Sequence, residues 1–73
     1  MRDYVLCPTY RFLIRYKEKG IWLSTEDYMS GYTLKNTIEK IERWYEDEFK
    51  NNQAYIDHIW RETETDWQTV EEW

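Results

Sequence analysis

The side chains best suited to acid–base or metal chemistry lie around one histidine. His58 is the single imidazole of the sequence, with Asp57 beside it and Glu62 four residues later. These groups do not complete the ligand set of a zinc site, and neither H-E-x-x-H nor Cys/His spacing is present. Cys7 is the only cysteine, which leaves no thiolate pair for a metal and no disulfide within the chain. We therefore expect no metal and no cofactor.

Nucleophilic catalysis has equally little support. A serine nucleophile needs a base held beside it, and neither Ser24 nor Ser30 lies in a nucleophile elbow. Carboxylates are plentiful, but a catalytic acid and base need a cleft that buries one of them. A chain of 73 residues leaves little wall to build such a cleft. We expect a protein that is not an enzyme.

The net charge of −5 originates in one segment. All ten lysines and arginines and ten of the fifteen acids lie in residues 1–61, so that part is neutral. Residues 62–73, which we call the acidic segment, hold the other five carboxylates, two tryptophans and no basic side chain. Such a segment attracts a basic protein surface and repels nucleic acid phosphates or an anionic membrane. The expected partner is therefore a basic protein, with no direct contact to nucleic acid or membrane.

The acidic segment and the acids late in the main helix form the predicted partner-binding site. Tryptophan is an anchor residue of protein interfaces, and carboxylates around it steer a basic partner into place. For Trp67 and Trp73, packing onto the chain's own core is an equally weighted alternative. The predicted partner-binding residues are Glu46, Asp47, Glu48, Glu62, Glu64, Asp66, Trp67, Glu71, Glu72 and Trp73.

Period-two patterns predict the strands that would position these groups. Residues 10–16 alternate as a half-buried strand does, and Gly20 supplies the positive φ of a short loop before a returning strand over 21–24. Residues 25–32 have no clear period and are interpreted as a connection. Residues 54–63 alternate but also contain helical i,i+4 pairs. We predict a third strand there, because a lone hairpin is marginally stable.

Two helices are predicted. Over residues 34–50 apolar side chains recur every three or four positions after Thr33, a suitable N-cap. Glu39 and Glu42 lie on its polar side, where opposite charges spaced i,i+4 are typical of a solvated surface. In the acidic segment, a capping-box spacing from Thr65 and apolar residues three apart predict a short C-terminal helix.

Together the patterns predict a single domain over residues 1–73 of the α+β class. An antiparallel hairpin and a third strand pack on one amphipathic helix in this fold. Two further functions stay open. One is an assembly module that forms a homodimer through its exposed aromatics. The other is single-stranded nucleic-acid binding, with Tyr10, Phe12, Tyr16 and Trp22 of the basic hairpin stacking on bases. Core packing is the preferred role for those four, since so small a chain needs them inside.

In size, charge and aromatic content the sequence resembles the small acidic inhibitors encoded by phages and mobile elements, among them anti-CRISPR proteins and other DNA mimics. The resemblance implies stoichiometric competition, in which carboxylates pair with the arginines and lysines that otherwise hold phosphate. We therefore expect a non-enzymatic inhibitor whose acidic, aromatic surface binds the nucleic-acid site of a target, such as a nuclease. No apolar stretch has membrane-spanning length and no secretory signal opens the sequence, so a cytoplasmic location is expected.

Overall fold

The computed structural model describes residues 7–73 as one antiparallel sheet with helices on one side. The strand order is β2-β1-β3-β4, and every neighbouring pair runs antiparallel. The α+β class, the hairpin and the third strand are thereby confirmed. In chain order the elements are β1 (Thr9–Glu18), β2 (Ile21–Ser30), α1 (Leu34–Trp44), α2 (Glu46–Lys50), β3 (Ala54–Glu62) and β4 (Trp67–Thr69).

The β1–β2 hairpin turns at Lys19 and Gly20, which have φ angles of 52° and 81°. Positive φ at both loop residues is the geometry that follows the right-handed twist of the two strands. The strands stay paired from Glu18 and Ile21 at the loop to Thr9 and Ser30 at the other end. The predicted connection over 25–32 is therefore wrong for its first six residues. β2 is an edge strand, which is held by backbone hydrogen bonds to one neighbouring strand. Such a strand does not need alternating apolar residues, so the sequence pattern does not reveal it.

The helices cover one face of the sheet, and the core lies between the two layers. Phe12 and Ile14 of β1 and Ile59 of β3 have no exposed surface there, and α1 contributes Ile41. The predicted N-cap is confirmed, because the Thr33 hydroxyl accepts a hydrogen bond from the Asn36 N–H at 3.1 Å. Within residues 7–73 the buried core cluster consists of Tyr10, Phe12, Ile14, Ile41, Ala54 and Ile59.

The helical region is broken at Tyr45, where a single helix over 34–50 is predicted. Tyr45 has φ −111° and ψ 41°, which ends α1 and precedes α2. The apolar spacing continues through the break, so the sequence pattern does not reveal it. The Tyr45 hydroxyl donates a hydrogen bond to the Asp27 carboxylate of β2. Burial and this hydrogen bond raise the pKa of Tyr45 to about 12.

The predicted C-terminal helix is wrong, because the acidic segment adds a fourth strand. Thr63 closes the turn into β4: its backbone N–H donates to the Asp66 carbonyl at 2.8 Å, and its hydroxyl accepts from the Asp66 N–H at 2.9 Å. Beyond β4, the Val70 N–H donates to the Ile59 carbonyl at 2.9 Å. β4 pairs with backbone N–H and C=O groups at the edge of β3. Those groups of β3 would lack this partner if the acidic segment formed a helix.

Candidate functional site

The two tryptophans of the acidic segment lie on opposite sides of the sheet. Trp67 is on the face without helices, where its ring centroid is 5.9 Å from that of Tyr28 on β2. Trp73 is on the helical side, where it lines a cavity with Leu34 and Ile38 of α1. They therefore do not form one paired anchor, and each belongs to a different surface.

We call the cavity beside α1 the Trp73 groove. Its volume is about 330 Å³, and Trp73 remains 54% exposed, so the indole forms a wall and does not fill the space. Glu39 and Glu42 stand on the rim, so the groove combines an apolar wall with excess negative charge. The groove is lined by Leu34, Lys35, Ile38, Glu39, Glu42 and Trp73.

Four of the five carboxylates in the acidic segment are exposed: Glu64, Asp66, Glu71 and Glu72. The ion pairs formed within residues 7–73 are Arg11–Glu26, Arg15–Asp57 and Lys50–Glu46, and none of them involves these four acids. Glu62 differs, because its carboxylate accepts a hydrogen bond from the Thr9 N–H at 3.0 Å and is partly buried. Glu62 therefore holds the start of β1 against the end of β3.

The predicted ten-residue site is divided by the sheet. Asp47 and Glu48 lie in the first turn of α2, before β3 begins, whereas Glu64 and Asp66 follow its end. The nine residues of β3 hold these two groups apart by about 30 Å. On α2, Glu46 also faces Lys50 at 3.7 Å. The acids of α2 and those of the β3–β4 turn do not form one surface.

Sequence reasoning missed Glu39 and Glu42 as site residues. Both were assigned to a solvated polar stripe, with Lys35 and Arg43 spaced i,i+4 from Glu39, but within residues 7–73 Lys50–Glu46 is the single helical ion pair of that spacing. Exposed helical pairs contribute little energy and compete with hydration, so a favourable spacing does not ensure contact. Their position beside Leu34 and Ile38 was the available signal, since it puts them next to the apolar side of α1.

The face without helices, which we call the open face, carries a second set of aromatic contacts. Trp22 packs edge-on against Tyr55 with ring centroids 5.6 Å apart, and the Arg11 guanidinium lies 4.3 Å from the ring centroid of Trp60. Glu26 accepts a 2.7 Å hydrogen bond from Arg11, which raises the pKa of that guanidinium above its usual value. Arginine and aromatic side chains held in this way are pre-organised for contact.

The four hairpin aromatics do not share one face, so they do not form the stacking surface of the nucleic-acid alternative, and the preferred core role is wrong for Trp22. Tyr10 and Phe12 are buried under the helices and Tyr16 is partly buried on the same side. Trp22 is 46% exposed, but it projects from the opposite face. Alternation keeps the three β1 aromatics on one face, but the pairing of Trp22 with Lys17 puts Trp22 on the other.

His58 lies on the open face. Its Nε2 is 3.4 Å from the Thr69 hydroxyl, and its ring centroid is 4.3 Å from that of Trp60. Throughout residues 7–73, no three His, Cys, Asp or Glu side chains are grouped so that they could hold a metal ion. No helix in this described part of the chain has the length and apolar character needed to cross a membrane.

Comparisons with protein-family models, with curated proteins and with solved structures find no match to this chain.

Proposed function

We propose that this chain is a non-enzymatic protein-binding module whose Trp73 groove accepts a basic surface of another protein. One observation carries the proposal: the groove has an apolar wall of Leu34, Ile38 and Trp73, and its rim acids, Glu39 and Glu42, lack an internal ion pair among the described residues. Concave, mostly apolar sites with a few convergent charges are the usual form of binding sites.

The binding process has two physical components. The rim acids and the neighbouring Glu71 and Glu72 attract a cationic surface at long range and increase the rate of encounter. An apolar side chain of the partner then enters the groove and removes the Trp73 indole from water. Arginines or lysines beside that side chain pair with Glu39 and Glu42.

The general resemblance to acidic phage and mobile-element inhibitors suggests the class of target. A protein whose basic groove holds nucleic acid already presents arginines and lysines arranged for anionic oxygens. Carboxylates that occupy those side chains would compete with phosphate, which makes the chain a stoichiometric inhibitor, as an anti-CRISPR protein is. The acids concerned lie on the helical side, so we propose one acidic contact face and not the mimicry of a whole duplex.

An NMR titration with a defined peptide tests this proposal. The probe is a short peptide of arginines and leucines, and the control peptide has serine in place of each leucine. We expect the Trp73 indole N–H resonance to shift on addition of the probe, while that of Trp22 on the open face stays in place. The control peptide should produce weaker shifts, because it lacks the apolar side chain that fills the groove.

The ionic strength of the titration provides a second readout. Raising salt from low to physiological concentration should weaken binding of the arginine–leucine peptide, because the rim charges become screened. Shifts confined to Trp22 and Trp60, or binding that is independent of salt, would contradict the proposal.

A further inference from the structure

The open face carries more aromatic surface than its own side chains cover. Trp22 and Tyr55 are each 46% exposed and Tyr28 is 56% exposed, although all three belong to paired strands. Within residues 7–73 no helix packs on this face, because both helices and the buried core lie on the other side. These aromatics form two contacts along the face, Trp22 with Tyr55 and Tyr28 with Trp67. Exposed tryptophan and tyrosine are the residues that dominate protein interfaces.

The charges of the open face are balanced. Arg11 pairs with Glu26 at 2.7 Å, and Arg15 pairs with Asp57 at 3.3 Å. The unpaired acids described above lie on the helical side or in the β3–β4 turn. A polyanion would bind this face weakly, because its arginines are already paired with carboxylates. A strongly basic partner would instead be attracted to the acids on other surfaces. A surface of mixed, balanced charge is the natural complement of this face.

The open face is large enough for an interface between proteins. Three strands of nine or ten residues and the short β4 span a face on the order of 500 Å² in projection. Protruding side chains make the accessible area larger, which brings it near the roughly 800 Å² per partner of a standard interface.

We propose that a second copy of this chain covers the open face, so that two sheets pack face to face as a sandwich. A copy offers the required features: a flat sheet of the same size, exposed tryptophan and tyrosine, and balanced charge. A two-fold axis repeats every contact, so that the arginine–carboxylate pairs of one copy meet those of the other in opposite orientation. Sheets packed in this way keep their strands within about 30° of one another.

Sedimentation equilibrium over a wide concentration range tests the dimer with two matched double variants. W22S/Y55S removes two aromatics of the open face, one on β2 and one on β3. Y32S/W44S makes the same chemical changes at more exposed positions, 77% and 76%, in the β2–α1 loop and on α1. We expect W22S/Y55S to raise the dimer dissociation constant at least about thirtyfold, and Y32S/W44S to change it by less than about threefold.

A charge-swap pair supports the test if W22S/Y55S proves poorly folded by circular dichroism. R15E gives each open face excess negative charge and should weaken the dimer, whereas R15E/D57R restores the balance and should recover it. A wild-type protein that stays monomeric at the highest concentration would overturn the proposal. The proposal would also be overturned by a dimer that both serine variants weaken equally, or by a dimer that pairs through the β2 edge. Quenching of Trp22 fluorescence by a single-stranded oligonucleotide, with the protein monomeric, would overturn it as well.

Discussion

The two faces of the sheet are built by the same strands from different kinds of residue. Towards the helices, β1 presents Phe12 and Ile14, which have no exposed surface, and towards the open side it presents Arg11 and Arg15. Thr37 of α1 is fully buried, and its hydroxyl donates to the Thr33 carbonyl at 2.7 Å.

The covered face therefore contributes mainly to folding stability, whereas the open face is suited to contact with a partner. Aliphatic side chains and Phe12 lose all contact with water under the helices, so most of the apolar free energy of folding comes from that side. Tryptophan and tyrosine dominate the open face, where they keep a polar group in water and remain available to a partner. Substitutions on the covered face should therefore affect unfolding, and those on the exposed surfaces should affect binding.

The largest expected effect is the loss of a core aromatic. Phe12→Ala should lower the free energy of unfolding by about 3–5 kcal/mol, because it leaves a cavity in the core. Trp22→Ala on the open face should cost only about 1 kcal/mol, since it removes an exposed aromatic pair. Urea denaturation at a protein concentration where the chain is monomeric measures both. Equal losses would contradict the division between the two faces.

A smaller effect is expected where the chain passes from β2 to α1. A Cβ atom added at Gly31 would overlap the Thr37 hydroxyl oxygen, which is buried and bonded to the Thr33 carbonyl. Gly31→Ala should therefore cost about 1–3 kcal/mol through overpacking. In a double-mutant cycle with Thr37→Ala, the two losses should sum to more than the loss in the double variant. If the two losses of unfolding free energy were strictly additive, the added Cβ at residue 31 would not be in contact with the Thr37 hydroxyl.

Alkaline pH tests the hydrogen bond from Tyr45 to Asp27, which joins the helical region to β2. The pKa of Tyr45 is raised from 10.0 to about 12 in the folded chain, so the folded state keeps its proton after the unfolded state has lost it. The resulting stabilisation is complete below about pH 10 and declines as the pH rises further, because the unfolded state then binds fewer protons. The difference in unfolding free energy between wild type and Tyr45→Phe should shrink over that interval. A difference that is constant with pH would contradict the assignment.

The smallest effect is expected at an open-face ion pair. Arg15 and Asp57 are both partly exposed, and their 3.3 Å contact is screened by solvent. Arg15→Gln should change the unfolding free energy of the monomer by less than about 1 kcal/mol. A loss above about 2 kcal/mol in urea denaturation would mean that the open face also contributes to the stability of the single chain.

The sequence predicted the elements whose signals are local. The alternation around Phe12, the capping residue Thr33 and the strand at 54–62 are properties of neighbouring residues, and all three are confirmed. The strand β4 depends instead on the free edge of β3, which is distant in sequence. Trp67, Val70 and Trp73 are spaced like one side of a helix, so the local pattern favoured the wrong structure.

The candidate site was predicted only in part, for a similar reason. The exposed acids Glu71 and Glu72 could be recognised from charge alone. The groove could not, because it forms where the chain leaves β4 and brings Trp73 beside α1. The helical pattern puts Glu39 and Glu42 beside Leu34 and Ile38, but it does not encode the approach of Trp73 that completes the groove.

The central claim is that acids at the Trp73 groove, and not net negative charge in general, bind a basic partner. Two variants with the same net charge test it by fluorescence anisotropy with the labelled arginine–leucine peptide. E39Q/E42Q neutralises the rim of the groove, whereas E18Q/E48Q neutralises one exposed acid at the hairpin loop and one that lines a separate cavity with Tyr16 and Tyr45. We predict that E39Q/E42Q raises the dissociation constant at least about fivefold and reduces its salt dependence, while E18Q/E48Q changes it by less than about twofold. Equal effects of the two variants, or no effect of E39Q/E42Q, would contradict the claim.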